Sequence, residues 1–389
     1  MKQSDLVPYA GREQGFVKHQ LLSAYLERFV MILGQHCPRI VYVDAFAGPW
    51  ESATDDYRDT SFGQAVRIMR ACQEQLEAKL HKRVRFDALF IEKNPAAFAK
   101  LEVFVAKENG PQFNISALHD DFQNCVTRIA EFIGSDFAFV LIDPLGWKGI
   151  ISPSVLAPLL KKRRVEVLIN YMWKFLSMAV GHQHETAQLS NLKEIFGEEL
   201  AEAPVAGDPN RECWLLNLYR KRLVESSVAS GAERTRSVSF PVQYPGSTTS
   251  KYFLVHVTHH DLGVIKFAEA SEKAHETQQS VRFCVIQQRR EKKTGNGDLF
   301  ADQDAPAEAG QEALEQPWLE LLPVAGCEMC IGQPEMAEMI ERNNCFIGEL
   351  QRGLLNLQKQ GVIVNLDMKR ARSKNGVNFD KTERLKRLV

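Results

Sequence analysis

Four apolar runs in the first half of this chain each lead into a carboxylate, and that repetition constrains the fold more than any other feature. Val41-Tyr-Val-Asp44-Ala-Phe-Ala-Gly48-Pro-Trp50 comes first, with a small-residue loop directly after its acid. Phe90-Ile-Glu92, His119-Asp-Asp121-Phe and Val140-Leu-Ile-Asp143-Pro144 follow. Near-continuous apolar runs are how strands buried on both faces read. One strand ending in Asp-x-x-x-Gly is also an ordinary turn. A series of them is different, because acids at the carboxyl ends of successive parallel strands converge on one crevice.

The spaces between the runs read as helices. Val17, Leu21, Leu22, Tyr25, Leu26 and Phe29 form one stripe at helical spacing near 17–35. Strands are expected at about 39–44, 85–92, 112–118, 137–143 and 165–170, with helices between them, one opening at Asn94-Pro95. This alternation predicts an α/β fold, a parallel sheet with helices on both faces. Residues 174–230 read as a helical insertion or lid. Strands at 236–243 and 251–258, a helix at about 261–278 and a last strand at 281–287 would complete the sheet edge, one of them antiparallel. From 288 to 312 the composition turns to Arg, Lys, Gly, Ala and Glu, which suits a solvated linker. Two helices, the strand Gly361-Val-Ile-Val-Asn365 and a basic segment then outline a winged-helix-like domain over 313–389. The expected organisation is therefore 1–287, 288–312 and 313–389.

Composition sets few limits. At 389 residues with 44% apolar content the chain is long enough for two domains with a real core. Eight scattered cysteines suit a reducing compartment, so a cytoplasmic location is expected. No signal-peptide pattern follows Met1, and no uncharged apolar stretch approaches about 20 residues, so no membrane association is expected.

The strand-end acids match the needs of an S-adenosylmethionine (SAM) site. Glu92 stands where a carboxylate would hold two ribose hydroxyls, although an acid capping the next helix would stand there too. Asp121 suits an adenine amino group, with Phe122 for the ring face; an N-cap aspartate is the competing reading. Asp143 and Pro144 would present a carboxylate and a rigid carbonyl to an exocyclic amine, orienting its nitrogen toward an activated methyl. Trp147 would stack on an extruded base, unless it lies in the core.

With Lys18-His19 on the first helix, Asn170-Tyr on the fifth strand and Val255-His-Val-Thr258-His-His, these motifs resemble the three-Cys-motif partner proteins (TcmP) over about residues 15–285. The resemblance implies a Rossmann-like class I SAM-methyltransferase fold in a bacterial and phage-associated family. It also implies a partner, a three-Cys-motif protein resembling radical-SAM enzymes. The Lys-His helix is also similar to that of ribosomal-RNA adenine-N6 methyltransferases, which implies Lys18 near the methionine carboxylate of SAM. Lys18, Asp44, Phe46, Gly48, Glu92 and Asp121 are then the cofactor-binding set, and Asp143, Pro144 and Trp147 the catalytic set. Two departures stand out: Trp50 replaces a loop glycine, and Asp143-Pro-Leu-Gly-Trp147 carries its aromatic one place later than Asp-Pro-Pro-aromatic.

Elsewhere the chemistry is thinner. Cys327-x-x-Cys330 has no second pair at zinc spacing, so no metal is expected. His182-x-His184 and His259-His260 read as surface histidines, and Lys161–Arg164 as a solvated helix end. From Lys359 to Val389, nine Lys/Arg stand against three Asp/Glu, a local balance of +6 in a chain of net charge −1. That is the electrostatic footprint of nucleic-acid contact, or of a basic terminus that is merely soluble or docks a partner. The expected activity is methylation of a nucleic acid, at a base amino group. The alternative is a catalytically inactive binding partner of the three-Cys-motif protein.

Overall fold

The computed structural model describes residues 3–48, 52–181, 186–227, 234–294, 313–370 and 372–389. It divides into two compact units, Met1–His259 and His260–Val389.

In the first unit, seven strands form one sheet: β1 (Arg39–Asp44), β2 (Arg85–Glu92), β3 (Phe113–His119), β4 (Phe137–Ile142), β5 (Val165–Tyr171), β6 (Arg236–Gln243) and β7 (Ser250–Thr258). Their order is β3-β2-β1-β4-β5-β7-β6. The pairs among β1 to β5 are parallel, and β7 runs antiparallel to both β5 and β6. A doubly wound sheet with a single antiparallel strand near one edge is the Rossmann-like arrangement of a methyltransferase fold. The order reverses between β1 and β4, and such a switch point is where open α/β sheets bind ligands.

Period-2 alternation sorts each strand between two helical layers. Val41 and Val43 join α4 (Phe122–Ile133), α5 (Pro153–Leu160), α7 (Thr186–Phe196) and α8 (Arg211–Ser227) in one apolar cluster. Tyr42 faces the other way and stacks on Phe139, whose ring also meets Tyr25 and Phe29 of α1 (Glu13–Leu33). The helices α2 (Ser61–Leu80), α3 (Pro95–Glu108) and α6 (Trp173–Gly181) complete the layers. Asn94 caps α3, accepting from Ala96 N and Ala97 N at 3.0 Å. Of the segment expected over 174–230, α6, α7 and α8 are present, and α7 and α8 are core rather than lid, while 182–185, with its His182-x-His184, and 228–230 lie outside the described residues. Leu192, Ile195, Phe196, Leu215, Tyr219 and Leu223 are fully buried in the sheet's own core.

One buried polar cluster ties α1 to the sheet. Glu166, in the middle of β5, accepts from Tyr25 Oη, from Thr258 Oγ1 at 2.9 Å, and meets His256 Nε2 at 3.2 Å. Burial pushes its carboxyl up, but these partners outweigh that and hold it below the ordinary value.

In the second unit, α9 (Asp261–Thr294) is one continuous helix. The strand expected at 281–287 is therefore a correction: Val281 and Val285 are both buried at helical i,i+4 spacing. The first part of the expected linker, 288–294, is helical, and 295–312 lies outside the described residues. The elements α10 (Gln316–Leu321), β8 (Glu328–Ile331), α11 (Gln333–Asn343), α12 (Ile347–Lys359), β9 (Ile363–Asn365) and β10 (Glu383–Arg387) follow. Their antiparallel sheet has the order β8-β10-β9.

Candidate functional site

Because β1 to β5 are parallel, their carboxyl ends share one edge of the sheet, and the acids read from the sequence gather there. Asp44 ends β1 and Glu92 ends β2. Asp121 follows β3, Asp143 follows β4, and Asn170 lies near the end of β5. The β4–β5 register, Ile142 opposite Ile169, places Asp143 beside Asn170.

Asp143 is the best-connected group of the set. Its Oδ1 accepts from Asn170 Nδ2 at 2.7 Å, and its Oδ2 is ion-paired with Lys18 Nζ of α1. Burial pushes the Asp143 carboxyl up, but the Lys18 charge and the hydrogen bonds from Lys18 and Asn170 overcome it, so the group stays below the usual carboxylate range. Asn170 Oδ1 is buried and has no hydrogen-bond partner among the described residues. A lone buried acceptor beside an ion pair is an opening for a donor from outside the chain.

Asp44 is enclosed completely. Its Oδ1 accepts from Phe46 N at 3.1 Å and its Oδ2 from Ser61 Oγ at 2.6 Å. Desolvation raises its pKa to about 6, with the Asp143 charge adding and Ser61, Phe46 N and Lys18 opposing. Its carboxylate therefore shapes the turn after β1 from within. Phe46 and Gly48 on that turn are half-buried, Phe46 packing at 5.6 Å on Phe122. Farther on, Asp59 fixes the loop, accepting from Ser52 Oγ at 2.6 Å, Ala53 N at 2.8 Å, Thr54 Oγ1 at 3.0 Å and from Arg12 beside α1. Trp50, the expected departure in this loop, lies outside the described residues.

Glu92 is buried and accepts from Asn94 N at 2.5 Å, with desolvation raising its pKa against that bond. The helix is capped by Asn94 rather than by Glu92, whose carboxylate instead holds the N–H of that capping residue. Asp121 occupies the N-cap place of α4, yet its side chain makes no capping bond. It faces Lys93 Nζ at 3.5 Å and is 35% exposed, so its carboxylate is available to a ligand. Phe122 is 1% exposed and packed into the core, which leaves no ring face for adenine.

Trp147 requires a correction. It is 6% exposed and belongs to the apolar cluster under α4 and α5, so it does not present a stacking face. The loop instead buries Pro144 and displays Leu145, which is 78% exposed. Asn170 and Ser61 were not among the site groups expected from the sequence. A polar residue closing the apolar run Val165-Glu-Val-Leu-Ile was a readable signal for Asn170; nothing local marks Ser61.

Next to Lys18, His19 is enclosed. Its Nδ1 lies 2.9 Å from Tyr9 Oη and 3.3 Å from Gln64 Nε2, which also donates to Tyr9 Oη at 2.7 Å. Burial, then the Lys18 charge, lowers its pKa to about 3, so the ring is neutral. In the second unit, Cys345 is pushed up to about 12 by burial. Among the described residues no group of three or more His, Cys, Asp or Glu gathers as metal ligands.

No family model matches the chain, and no curated protein matches it either. Similar solved structures include a DUF574 family protein from Streptomyces avermitilis, at 8% identity and TM-score 0.30, covering 61% of this chain and 82% of that one. Another is PKMT2 from Rickettsia typhi, also at 8% identity and TM-score 0.30. It covers 62% of this chain, which spans about half (53%) of that protein. The fold assignment rests on the strand order and direction.

Proposed function

We propose that this protein is a SAM-dependent methyltransferase whose acceptor is a nucleic-acid base amino group. The observation that carries the reading is the linked set Lys18–Asp143–Asn170 beside the β1/β4 switch point, with Glu92 and Asp121 on the neighbouring strand ends. Glu92 and Asp121 would hold the ribose and the adenine amino group, and Lys18 the methionine carboxylate. When bound, SAM supplies a methyl group already activated for transfer. Asp143 would accept a hydrogen bond from the acceptor amine once Lys18 turns to the cofactor carboxylate, and Asn170 Oδ1 would take a second N–H. The chain's task is then orientation, and the amine's proton leaves to solvent.

The wider proposal includes a winged-helix reading of Gln316–Arg387, supported by the helix–strand–helix–helix–strand–strand order with a long basic loop between the last two strands. A three-Cys-motif, radical-SAM-like partner is supported by the sequence resemblance alone. A cytoplasmic setting is supported by eight cysteines that are all unpaired. Among the described residues no helix is long and apolar enough to cross a membrane.

A second reading has its own observation. Buried Trp147, together with an Asp143 whose two oxygens are already engaged, suits a methyltransferase-like partner that binds without turnover. Titration with S-adenosylhomocysteine and a methyl-transfer assay separate the two. Asp143→Ala should abolish transfer and leave cofactor affinity within a few-fold, whereas Glu92→Ala should weaken cofactor binding tenfold or more by losing charge-assisted hydrogen bonds. Loss of cofactor binding in Asp143→Ala would put that residue in the cofactor site. Cofactor binding by the wild type without transfer to DNA or RNA would favour the partner reading.

A further inference from the structure

We propose that Lys174, Lys251 and Tyr244 form a phosphate clamp at the mouth of the crevice, seating the backbone of a single nucleic-acid strand. The inference rests on the nucleic-acid reading above and gives it a location. Lys174 lies in the first turn of α6, which starts two residues after the end of β5. Lys251 lies in β7, where Tyr171 of β5 pairs with Phe253, so Lys251 sits beyond the carboxyl end of β5. Both positions therefore belong to the edge of the sheet that carries Asp143 and Asn170.

The two ammonium groups share one ring. Lys174 Nζ stands 5.9 Å from the Tyr244 ring centroid and Lys251 Nζ 5.8 Å from it. Tyr244 is held in a closed turn between β6 and β7, with its N–H donating to Thr249 O at 3.1 Å and its carbonyl accepting from Ser247 N at 3.0 Å. Neither lysine has a carboxylate at ion-pair distance among the described residues. The nearby Glu212 instead accepts from Ser250 Oγ at 3.0 Å. Desolvation lowers the Lys251 pKa, Lys174 and Lys18 lower it further, and only Glu13 opposes them. Like charges gathered on a rigid aromatic base, without their own counter-ion, fit an anion brought by a ligand.

The surroundings select the kind of anion. Phe175, 48% exposed, and Leu145, 78% exposed, stand next to the clamp in sequence and strand order. A cationic track with apolar and aromatic faces beside it is how single strands are held, phosphates on the charges and bases on the faces. A small free anion would have no use for those faces. A duplex would keep its base stacked away from Asp143.

The test uses the full chain and the double variant K174Q/K251Q, two partly solvated positions whose change leaves the core intact. The probes are labelled single-stranded DNA and RNA oligonucleotides of about 12 nucleotides, with S-adenosylhomocysteine titrated in parallel. The double variant should bind the oligonucleotide several-fold more weakly at low salt and lose about 1.4 from the slope of log affinity against log salt, two phosphates at about 0.7 each. Cofactor affinity should not change. Wild-type binding of the strand with an unchanged slope in the variant would overturn the clamp and leave the nucleic-acid reading standing. Loss of cofactor affinity in the variant would also overturn it, because the lysines would belong to the cofactor pocket. No oligonucleotide binding by the wild type at low salt would remove both the clamp and the reading beneath it.

Discussion

Asp44 is a strand-end acid whose carboxylate is wholly enclosed and held by Phe46 N and Ser61 Oγ. Its carboxyl has a raised pKa, about 6, so the folded state prefers the neutral acid. Its favourable contribution is therefore fully present below the unfolded value near 4 and is lost as pH rises through about 6. Asp44→Asn keeps the shape and removes the ionisation. Relative to wild type, the variant should gain stability as pH rises, reaching about 2–3 kcal/mol above pH ~7, a shift of roughly two units at 1.36 kcal/mol each. Urea unfolding of both proteins between pH 4.5 and 8 measures this; a difference that stays flat or shrinks with pH contradicts the enclosed, costly charge. At this scale the sequence located the strand-end acids, because an acid ending an apolar run is a local pattern. The direction a loop side chain faces is set by the packing of distant helices, so the core alternative for Trp147 could be named but not chosen, and Phe122 was legible as an aromatic but not as core. Ser61 reaches Asp44 across 17 positions, and no window of sequence carries that bond.

Among the elements, strands and helices of the first unit were legible because their periods differ, two against 3.6. The segment 281–287 was not, since Val281, Cys284 and Val285 fit a short apolar strand as well as one stripe of a helix. Glu166 was visible as a lone acid inside a buried run, but its partners lie on α1 and β7. Helix packing also yields a test. Gly353 in α12 sits where a Cβ would come within 1.9 Å of Leu314 O, next to the place where Leu314 N donates to Glu349 O at 3.1 Å and Trp318 Nε1 to Leu350 O at 2.7 Å. In an exposed helix, Gly→Ala is stabilising by about 1 kcal/mol. Here overpacking should win, and Gly353→Ala should cost about 1–3 kcal/mol. Thermal or urea unfolding reads the sign: an equally stable or more stable variant would mean that Leu314 and Glu315 approach α12 less closely.

For the whole molecule, net charge hides where charge is free to act. The basic tail is less available than its +6 balance suggests, because Arg372 pairs with Glu383, Arg384 with Asp367 and Lys386 with Glu328. Lys369, Arg370, Lys374 and Lys381, all exposed on the loop between β9 and β10, have no such partner among the described residues. If three of the four reach duplex phosphates, binding should show a salt slope of about −2.7. Changing all four to Gln should flatten it without altering S-adenosylhomocysteine affinity. A slope that survives the fourfold change would assign duplex contact elsewhere. The Lys18–Asp143 pair has a consequence of another kind. Both ions shed most of their water when the chain folded, their side chains being 16% and 17% exposed. A zwitterionic ligand that takes Lys18 with its own carboxylate therefore meets charges already stripped and aimed. Under the proposed cofactor role, binding there would be an exchange of partners between ions that folding has already dried.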